Sequence, residues 1–359
     1  MPDENKTMKV AFLLGLFPQT TETFIIDQIT GLINRGVDVR IFALHKSTEE
    51  VSEDFKKFNL EERTYYLDVP RDRKRRLKKA VKIFFKEFPK HPIAIIKSLN
   101  FFRYKKVAFS LMPFFVTSYF LNSKEEFDII HCHFGQRGLY GAVLKDIGIK
   151  GKLVTSFYGG DLSSFVKQTG KEIYNPLFDK GDIFLPLSNG FKERLIKLNC
   201  PIGKIEVLPL GIDTTKFSLL KRRNKKAVTL LTIGRLVEKK GHKYAIEAVS
   251  KLVKKGRKIK YIIAGDGPLR KELEKLTKKL SLERNVDFIG SVNPDKVPEL
   301  YKKSDIFVLP SHKSSQGDTE GTPMVLMEAQ ATGLPIDSTL HASITDVVPD
   351  GKSRFLVKE

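Results

Sequence analysis

The sequence predicts an α/β chain built from two doubly wound parallel-sheet domains with a cleft between them. Three observations point there. Short apolar runs of strand length alternate with helical stretches. Most of these runs end in loops carrying Gly, His, Asp or Arg, the end at which such sheets bind ligands. The alternation also stops at a polar run, Lys221-Arg222-Arg223-Asn224-Lys225-Lys226, and then begins again, which sets residues 8–212 apart from residues 227–359.

In the first domain, Met8 to Leu14 reads as a buried strand that ends at Gly15-Leu16-Phe17-Pro18. A helix from about Thr21 to Asn34 follows, closed by Arg35-Gly36, and Val37 to Leu44 is the second strand. Gly15 and the loop after it are placed at the cleft by the strand-end rule. Phe127 to Cys132 is another strand, with His133-Phe134-Gly135 at its carboxyl end. Lys152 to Phe157 is the next and ends in Tyr158-Gly159-Gly160-Asp161. Asp182 to Leu187 and Ile205 to Leu208 complete a sheet of six or seven strands. From position alone, His133, Asp161 and His45 are as well explained by structural hydrogen bonds as by contacts to a ligand.

Residues 71–123 interrupt this pattern as a helical insertion. Within 71–106 there are fourteen Lys or Arg against Asp72 and Glu87, which is +12 of the chain's formal +21. Phe84, Phe85 and Phe88 lie beside these cations, so the segment suits an anionic membrane surface. The alternative is a solvated Lys-rich face over an ordinary core. Val107 to Ser123 is uncharged over 17 residues and contains Pro113. It is at the short limit for a membrane span and reads as a core or interfacial helix. No nucleic-acid module accompanies the charge, so nucleic acid is not the expected partner.

In the second domain, Ala227 to Ile233 is a strand with Gly234-Arg235-Leu236 at its exit, and Lys240-Gly241 opens the next helix. Tyr261 to Ala264, Val286 to Ile289, Asp305 to Leu309 and Leu334 to Ser338 are further short strands. Arg235 and Lys240 supply a fork and a point charge, which suits a diphosphate. The order of residues is not that of a Walker A loop, and Gly265 with Gly267 matches only half of a dinucleotide fingerprint.

The most informative stretch runs from Gly317 to Ala329. It reads as a loop entering a buried helix, with Thr322 as N-cap, Pro323 at the first helical position and Gly333 past the C-terminus. Glu328 sits in the apolar run Met324 to Ala331, where a carboxylate needs a partner. Glu320 stands in the loop before the helix, whose N-terminus suits a phosphate. Two acceptors for hydroxyls and one anion site together suit a sugar nucleotide. A hydrolase pair is disfavoured: eight helical residues would separate the carboxylates by roughly 12 Å along the axis, beyond the usual glycosidase range.

Two cysteines, Cys132 and Cys200, exclude a disulfide framework and suit a reducing compartment. Met1 to Lys9 is polar, so no signal peptide is expected. The seven histidines show no metal-ligand spacing, and neither metal nor cofactor is expected.

These residues resemble a known family. Glu320 and Glu328 match the E-x7-E signature of the retaining glycosyltransferase family 4, whose fold is the GT-B type of two Rossmann-like domains. Gly234-Arg235-Leu236 through Lys240-Gly241 resembles that family's diphosphate-binding segment. Phe17-Pro18 with Glu22-Thr23-Phe24, then His131-Cys132-His133-Phe134-Gly135, then Gly317 to Gly321, resemble its colanic acid and amylovoran exopolysaccharide branch. The resemblance implies an N-terminal acceptor-binding domain and a C-terminal nucleotide-sugar-binding domain. Arg235, Lys240, Gly321, Thr322 and Pro323 would bind the donor diphosphate, and Glu328 the ribose. Glu320, with Asp161 and His133, would be the catalytic set, and Gly15, Glu22 and Tyr158 would lie on the acceptor side. It further implies hexose transfer from a nucleotide sugar, UDP favoured over GDP, to a lipid-linked oligosaccharide. The enzyme would be cytoplasmic, on the inner face of the cell membrane.

Four features depart from the family pattern. Tyr158 stands where a His is usual. Ala342-Ser343-Ile344-Thr345 replaces Ser-Gly-Ile-Pro. Asp337 places a charge in a strand, where an unpaired carboxylate should destabilise. The family's C-terminal crossover helices would follow Glu359. These departures motivate a second reading, a membrane-associated sugar-nucleotide-binding protein of the same fold with impaired catalysis.

Overall fold

Every pairing between named strands is parallel in the computed structural model of the chain, which describes residues 7–123, 125–219, 227–348 and 354–359. The expected boundary run, 221–226, lies outside the described residues. The chain divides into two compact units between Pro209 and Leu210.

In the N-terminal unit the strands are β1 (Lys9–Phe17), β2 (Asp38–Lys46), β3 (Thr64–Tyr66), β4 (Ile129–His133), β5 (Lys152–Phe157) and β6 (Ile183–Pro186). Their order is β3-β2-β1-β4-β5-β6, so the winding reverses between β1 and β4. Alternation fixes which side chains face which layer. Val10, Phe12, Leu14 and Phe17 pack with Ile25, Ile26 and Ile29 of the helix Thr23–Ile33.

The C-terminal unit repeats this plan with β7 (Val228–Ile233), β8 (Ile259–Ala264), β9 (Val286–Gly290), β10 (Ile306–Leu309), β11 (Ile336–Thr339) and β12 (Arg354–Val357). The order β12-β11-β10-β7-β8-β9 reverses between β7 and β10. Leu230 and Leu231, adjacent in β7, enter opposite core layers, one with Ile246 and Tyr261 and the other with Tyr301 and Phe307.

Several expectations need correction. The first strand does not stop at Gly15, because Leu16 and Phe17 continue its pairing onto His45 and Lys46. Ile205 to Leu208 is not a strand of the sheet, since it makes a single isolated bridge from Ile205 to Phe184. The edge strands β3 and β12 were not anticipated. Val107 to Ser123 is two helices, Phe101–Phe109 and Met112–Ser123, separated by Leu111 at φ +60. Pro113 begins the second helix rather than interrupting it, and Phe114, Phe115, Val116 and Phe120 are buried. Among the described residues no helix is long and apolar enough to cross a membrane. Asp337 projects from the exposed face of β11, yet partial burial still pushes its carboxyl up, so its charge is disfavoured there as expected.

Candidate functional site

The C-terminal unit brings charged side chains together where the winding reverses. β7 exits through Gly234 and Arg235 into a single 3-10 turn, Glu238–Lys240. Gly241 then adopts φ +68, and a Cβ there would stand 1.9 Å from the Pro310 carbonyl oxygen. Only glycine lets the β7 and β10 exits approach so closely. The contact carries Lys239 and Lys240 to the loop after β10. Lys239 Nζ lies 3.0 Å from Asp318 and 3.2 Å from the Thr319 carbonyl. Lys240 Nζ lies 3.0 Å from Glu320 Oε1, which also accepts a 3.0 Å hydrogen bond from Ser311 Oγ.

Glu320 is only 4% exposed. Burial pushes its carboxyl up, but Lys240, then Lys239, then the Lys240 and Ser311 hydrogen bonds outweigh it and hold the group below the usual carboxylate range. The Glu320 N–H donates to His341 Nε2 at 3.2 Å, while His341 Nδ1 lies 2.5 Å from Glu359. Arg235 is exposed, and no carboxylate among the described residues pairs with it. Its carbonyl accepts from His242 Nε2 at 3.0 Å, which ties the strand exit to the helix His242–Lys254.

The helix below Glu320 spans Met324–Ala331, one residue later than the sequence suggests. Pro323 occupies its cap position and no side chain caps it, so Thr322 is not the N-cap. The C-terminal end is as expected. Gly333 has φ +71, its N–H bonds to Gln330 and the Leu334 N–H to Ala329, a Schellman closure. Glu328 is 8% exposed, and the Tyr301 hydroxyl donates to its Oε2 at 2.7 Å. Tyr301 therefore supplies a partner for the buried carboxylate and fixes its orientation.

The N-terminal unit places different chemistry at its own reversal point. His131 and His133 end β4, with rings 4.5 Å apart. His131 Nε2 meets Ser156 Oγ at 2.8 Å, and His133 Nδ1 meets the Tyr158 hydroxyl at 2.7 Å. Burial, then the neighbouring His131, holds His133 well below the usual histidine range, so it is neutral. Its Nε2 is buried without a hydrogen-bond partner among the described residues. Asp161 is 1% exposed. Its carboxylate accepts from the N–H groups of Gly159 (2.8 Å), Gly135 (3.0 Å) and Tyr158 (3.2 Å). Burial still pushes the Asp161 carboxyl up against these donors. Asp161 thus joins the β5 exit to the start of the helix Gly135–Asp146. Tyr158 stacks on His133 and touches Phe24, on the helix that Glu22 precedes.

Comparison with known proteins joins these two halves. The model described as Glycosyltransferase Family 4 matches residues 21–216, and that described as Glycosyl transferases group 1 matches residues 213–359. The colanic acid biosynthesis glycosyltransferase WcaL of Salmonella typhimurium is 36% identical, over 98% of this chain and 87% of its own length. The chain belongs to the family 4 glycosyltransferases. The amylovoran biosynthesis glycosyltransferase AmsK of Erwinia amylovora is 33% identical, over 98% and 87%. A UDP-Gal:alpha-D-GlcNAc-diphosphoundecaprenol alpha-1,3-galactosyltransferase of Escherichia coli is 29% identical, over 62% and 60%. Among solved structures, Anabaena Alr3699/HepE superposes with a TM-score of 0.68 at 18% identity, over 98% of this chain and 86% of that one. The fold of this glycosyltransferase is thus GT-B.

Within its C-terminal unit the structure brings Lys240 to Glu320 directly and keeps Arg235 on the same strand exit. Gly321, Thr322 and Pro323 lead from Glu320 into the helix that carries Glu328. Within the N-terminal unit it links His133 to Tyr158 and Tyr158 to Asp161. Gly15 belongs to another cluster of that unit, under the Arg137 side chain. Sequence reasoning missed Lys239, Ser311, His341, Tyr301 and Arg137. Ser311 follows β10 closely enough for the strand-end rule to have found it. Tyr301 lies inside a helix and carried no such signal.

Proposed function

We propose that the chain transfers a hexose, with retention, from a UDP-sugar to a lipid-linked oligosaccharide in bacterial exopolysaccharide assembly. The observation that carries this reading is the pairing of Lys240 with the buried Glu320 at the reversal point of the C-terminal sheet, beside an Arg235 that no described carboxylate neutralises. A diphosphate entering there meets a guanidinium fork and an ammonium. Glu320, ionised and aimed by Ser311 and the His341 contact, is left to hold a sugar hydroxyl. Glu328, oriented by Tyr301, is the ribose acceptor. Leaving-group stabilisation is then electrostatic and involves no metal. The 36% identity to a colanic acid biosynthesis protein supports the pathway class, and the 29% identity to a UDP-galactose-dependent enzyme acting on a diphosphoundecaprenol supports the donor and acceptor classes. Calorimetry with UDP and GDP tests the donor site. Arg235→Ala and Lys240→Ala should each weaken UDP by about tenfold or more. Unchanged UDP affinity in both variants would remove the assignment.

The acceptor side is proposed to rest on an anionic membrane surface through residues 71–106. On the helix Arg73–Glu87, Leu77, Val81 and Phe85 are exposed among lysines, and Phe102 is 98% exposed. Cations beside outward aromatic side chains complement an anionic interface. Binding to vesicles containing anionic lipid should fall in a Phe85→Ser/Phe102→Ser variant. Undiminished binding would refute the docking face.

A further inference from the structure

The N-terminal unit gathers positive charge at the carboxyl end of β1 without matching carboxylates. The Arg137 guanidinium, from the first turn of the helix Gly135–Asp146, lies directly over Gly15. A Cβ built on Gly15 would stand 1.9 Å from Arg137 Nη2, so the absent side chain is what admits the guanidinium. Arg137 Nε is buried without a hydrogen-bond partner among the described residues, and the group sits 5.8 Å from the Phe134 ring.

Arg76 arrives from the basic insertion. Its Nε, Nη2 and Nη1 donate to the carbonyls of Pro70 (2.8 Å), Arg71 (2.9 Å) and Ser110 (3.2 Å). These dipoles fix the charge in place but do not cancel it. Neither arginine makes an ion pair with a described carboxylate. Leu44, between the residues paired with Leu14 and Leu16, accepts from the Val69 N–H at 3.4 Å, and the adjacent Pro70 carbonyl holds Arg76, which brings that guanidinium to the β2 exit beside Gly15 and next to His45. Burial, then Arg71, Arg76 and Arg137, hold His45 below the usual histidine range, with Asp68 opposing.

We propose that Arg137 and Arg76 form an anion site beside Gly15 that takes the diphosphate of the lipid-linked acceptor. Arg137 offers a guanidinium and Arg76, whose three nitrogens already donate to carbonyls, a fixed positive charge beside it, which together suit a group with two phosphates better than mobile lysines do. The helix that carries Arg76 also turns Leu77, Val81 and Phe85 outward. A ligand with a diphosphate head and an apolar tail would meet both features on one helix. This inference rests on the reading that the acceptor is lipid-linked. A phospholipid headgroup offers related chemistry, so the test separates the two.

Inorganic pyrophosphate and farnesyl diphosphate are titrated into the full chain saturated with UDP, and into an Arg235→Ala/Lys240→Ala variant whose donor site is disabled. Both probes should bind, and Arg137→Ala and Arg76→Gln should each weaken them by about tenfold or more. Arg137→Lys, which keeps the charge and loses the fork, should fall between. Gly15→Ala should act in the same direction, because its methyl displaces the guanidinium without removing it. UDP affinity, a readout of the C-terminal unit, should stay unchanged in all of these single variants, which also guards against misfolding. Absence of pyrophosphate binding to the parent chain, or equal binding by the parent and Arg137→Ala, would overturn the site. If Arg137→Ala instead weakens binding to anionic phospholipid vesicles as strongly as binding to the diphosphates, the site serves headgroups and the acceptor assignment is overturned. If UDP itself fails to bind, the proposed function falls, while the pyrophosphate titration still reads this cluster.

Discussion

The two units share one topology and differ in how they hold polar groups at its reversal point. In the C-terminal unit a buried carboxylate pairs with a part-exposed ammonium, Glu320 with Lys240, 3.0 Å apart. In the N-terminal unit the buried groups His131, His133 and Tyr158 are neutral and hydrogen-bonded, and Asp161 is held by backbone N–H groups. The parallel sheet explains where polar residues gather, since strand exits converge where the winding reverses. It does not explain which chemistry gathers there. That depends on loop residues, and the two sets suit different partners: an ion pair able to exchange partners with a diphosphate, and a neutral, pre-positioned surface edged by Arg137.

Removing one member of each arrangement breaks the comparison most strongly. Asp161→Ala leaves three backbone N–H groups without their acceptor at about 1–3 kcal/mol each, so it should destabilise the N-terminal unit by several kcal/mol in denaturant unfolding. Glu320→Ala strands Lys240 beside a buried site and should cost about 3–5 kcal/mol, while Glu320→Gln, which keeps the Ser311 contact, should cost less. Equal losses for Ala and Gln would show that the charge, which both variants remove, accounts for the whole effect and the Ser311 contact for little.

Acid should then destabilise both units, in different pH windows. Burial lowers His131 and His242 to about 4, against about 6.5 in an unfolded chain. A depressed histidine contributes stability that is complete above about pH 6.5 and is lost as pH falls towards 4, at most about 3 kcal/mol per group. The N-terminal unit has three lowered histidines, since His133 and the less buried His45 are lowered as well, and the C-terminal unit has His242. Hydrogen exchange across this window should show the N-terminal unit opening first. Glu320, held below the usual carboxylate range, adds stability that is lost only as pH falls below about 4.3, when the C-terminal unit should follow. The reverse order would contradict the burial difference.

The smallest effect sharpens one detail of the C-terminal unit. Ala342 has φ +47, a region that is costly for a residue with a Cβ. Ala342→Gly should raise stability by about 0.5–1 kcal/mol, measurable as a higher thermal midpoint. Ser343, which stands in the family's glycine position, has φ -82 and needs no glycine for its own backbone.

How much of this was legible in the sequence follows from where the signals lie. Strands such as Ile259–Ala264 and the Gly333 helix stop are local patterns, and both were readable. β3 is three residues long, too short for alternation to register, whereas β12 is no shorter than β6, β10 and β11, which were readable. The start of the helix Met324–Ala331 was placed one residue early because Pro323 took the cap position expected of Thr322. At the site, Arg235, Lys240, Glu320 and Glu328 were visible through spacing. Their partners were not. Tyr301 reaches Glu328 from 27 residues away, and His341 reaches Glu320 from 21. Arg137 was hidden in another way, because its significance lies in the missing side chain of Gly15 on a neighbouring strand.

The most direct test is transfer itself. The full chain would be incubated with a panel of UDP- and GDP-hexoses and a polyprenyl-diphosphate-linked oligosaccharide, and the products weighed by mass spectrometry. The account predicts that a UDP-hexose adds a single hexose to the acceptor with its anomeric configuration retained. It also predicts that Glu320→Ala and Lys240→Ala each abolish the mass gain. If no donor yields a product while UDP still binds, or if Glu320→Ala transfers as well as the parent chain, the account is contradicted.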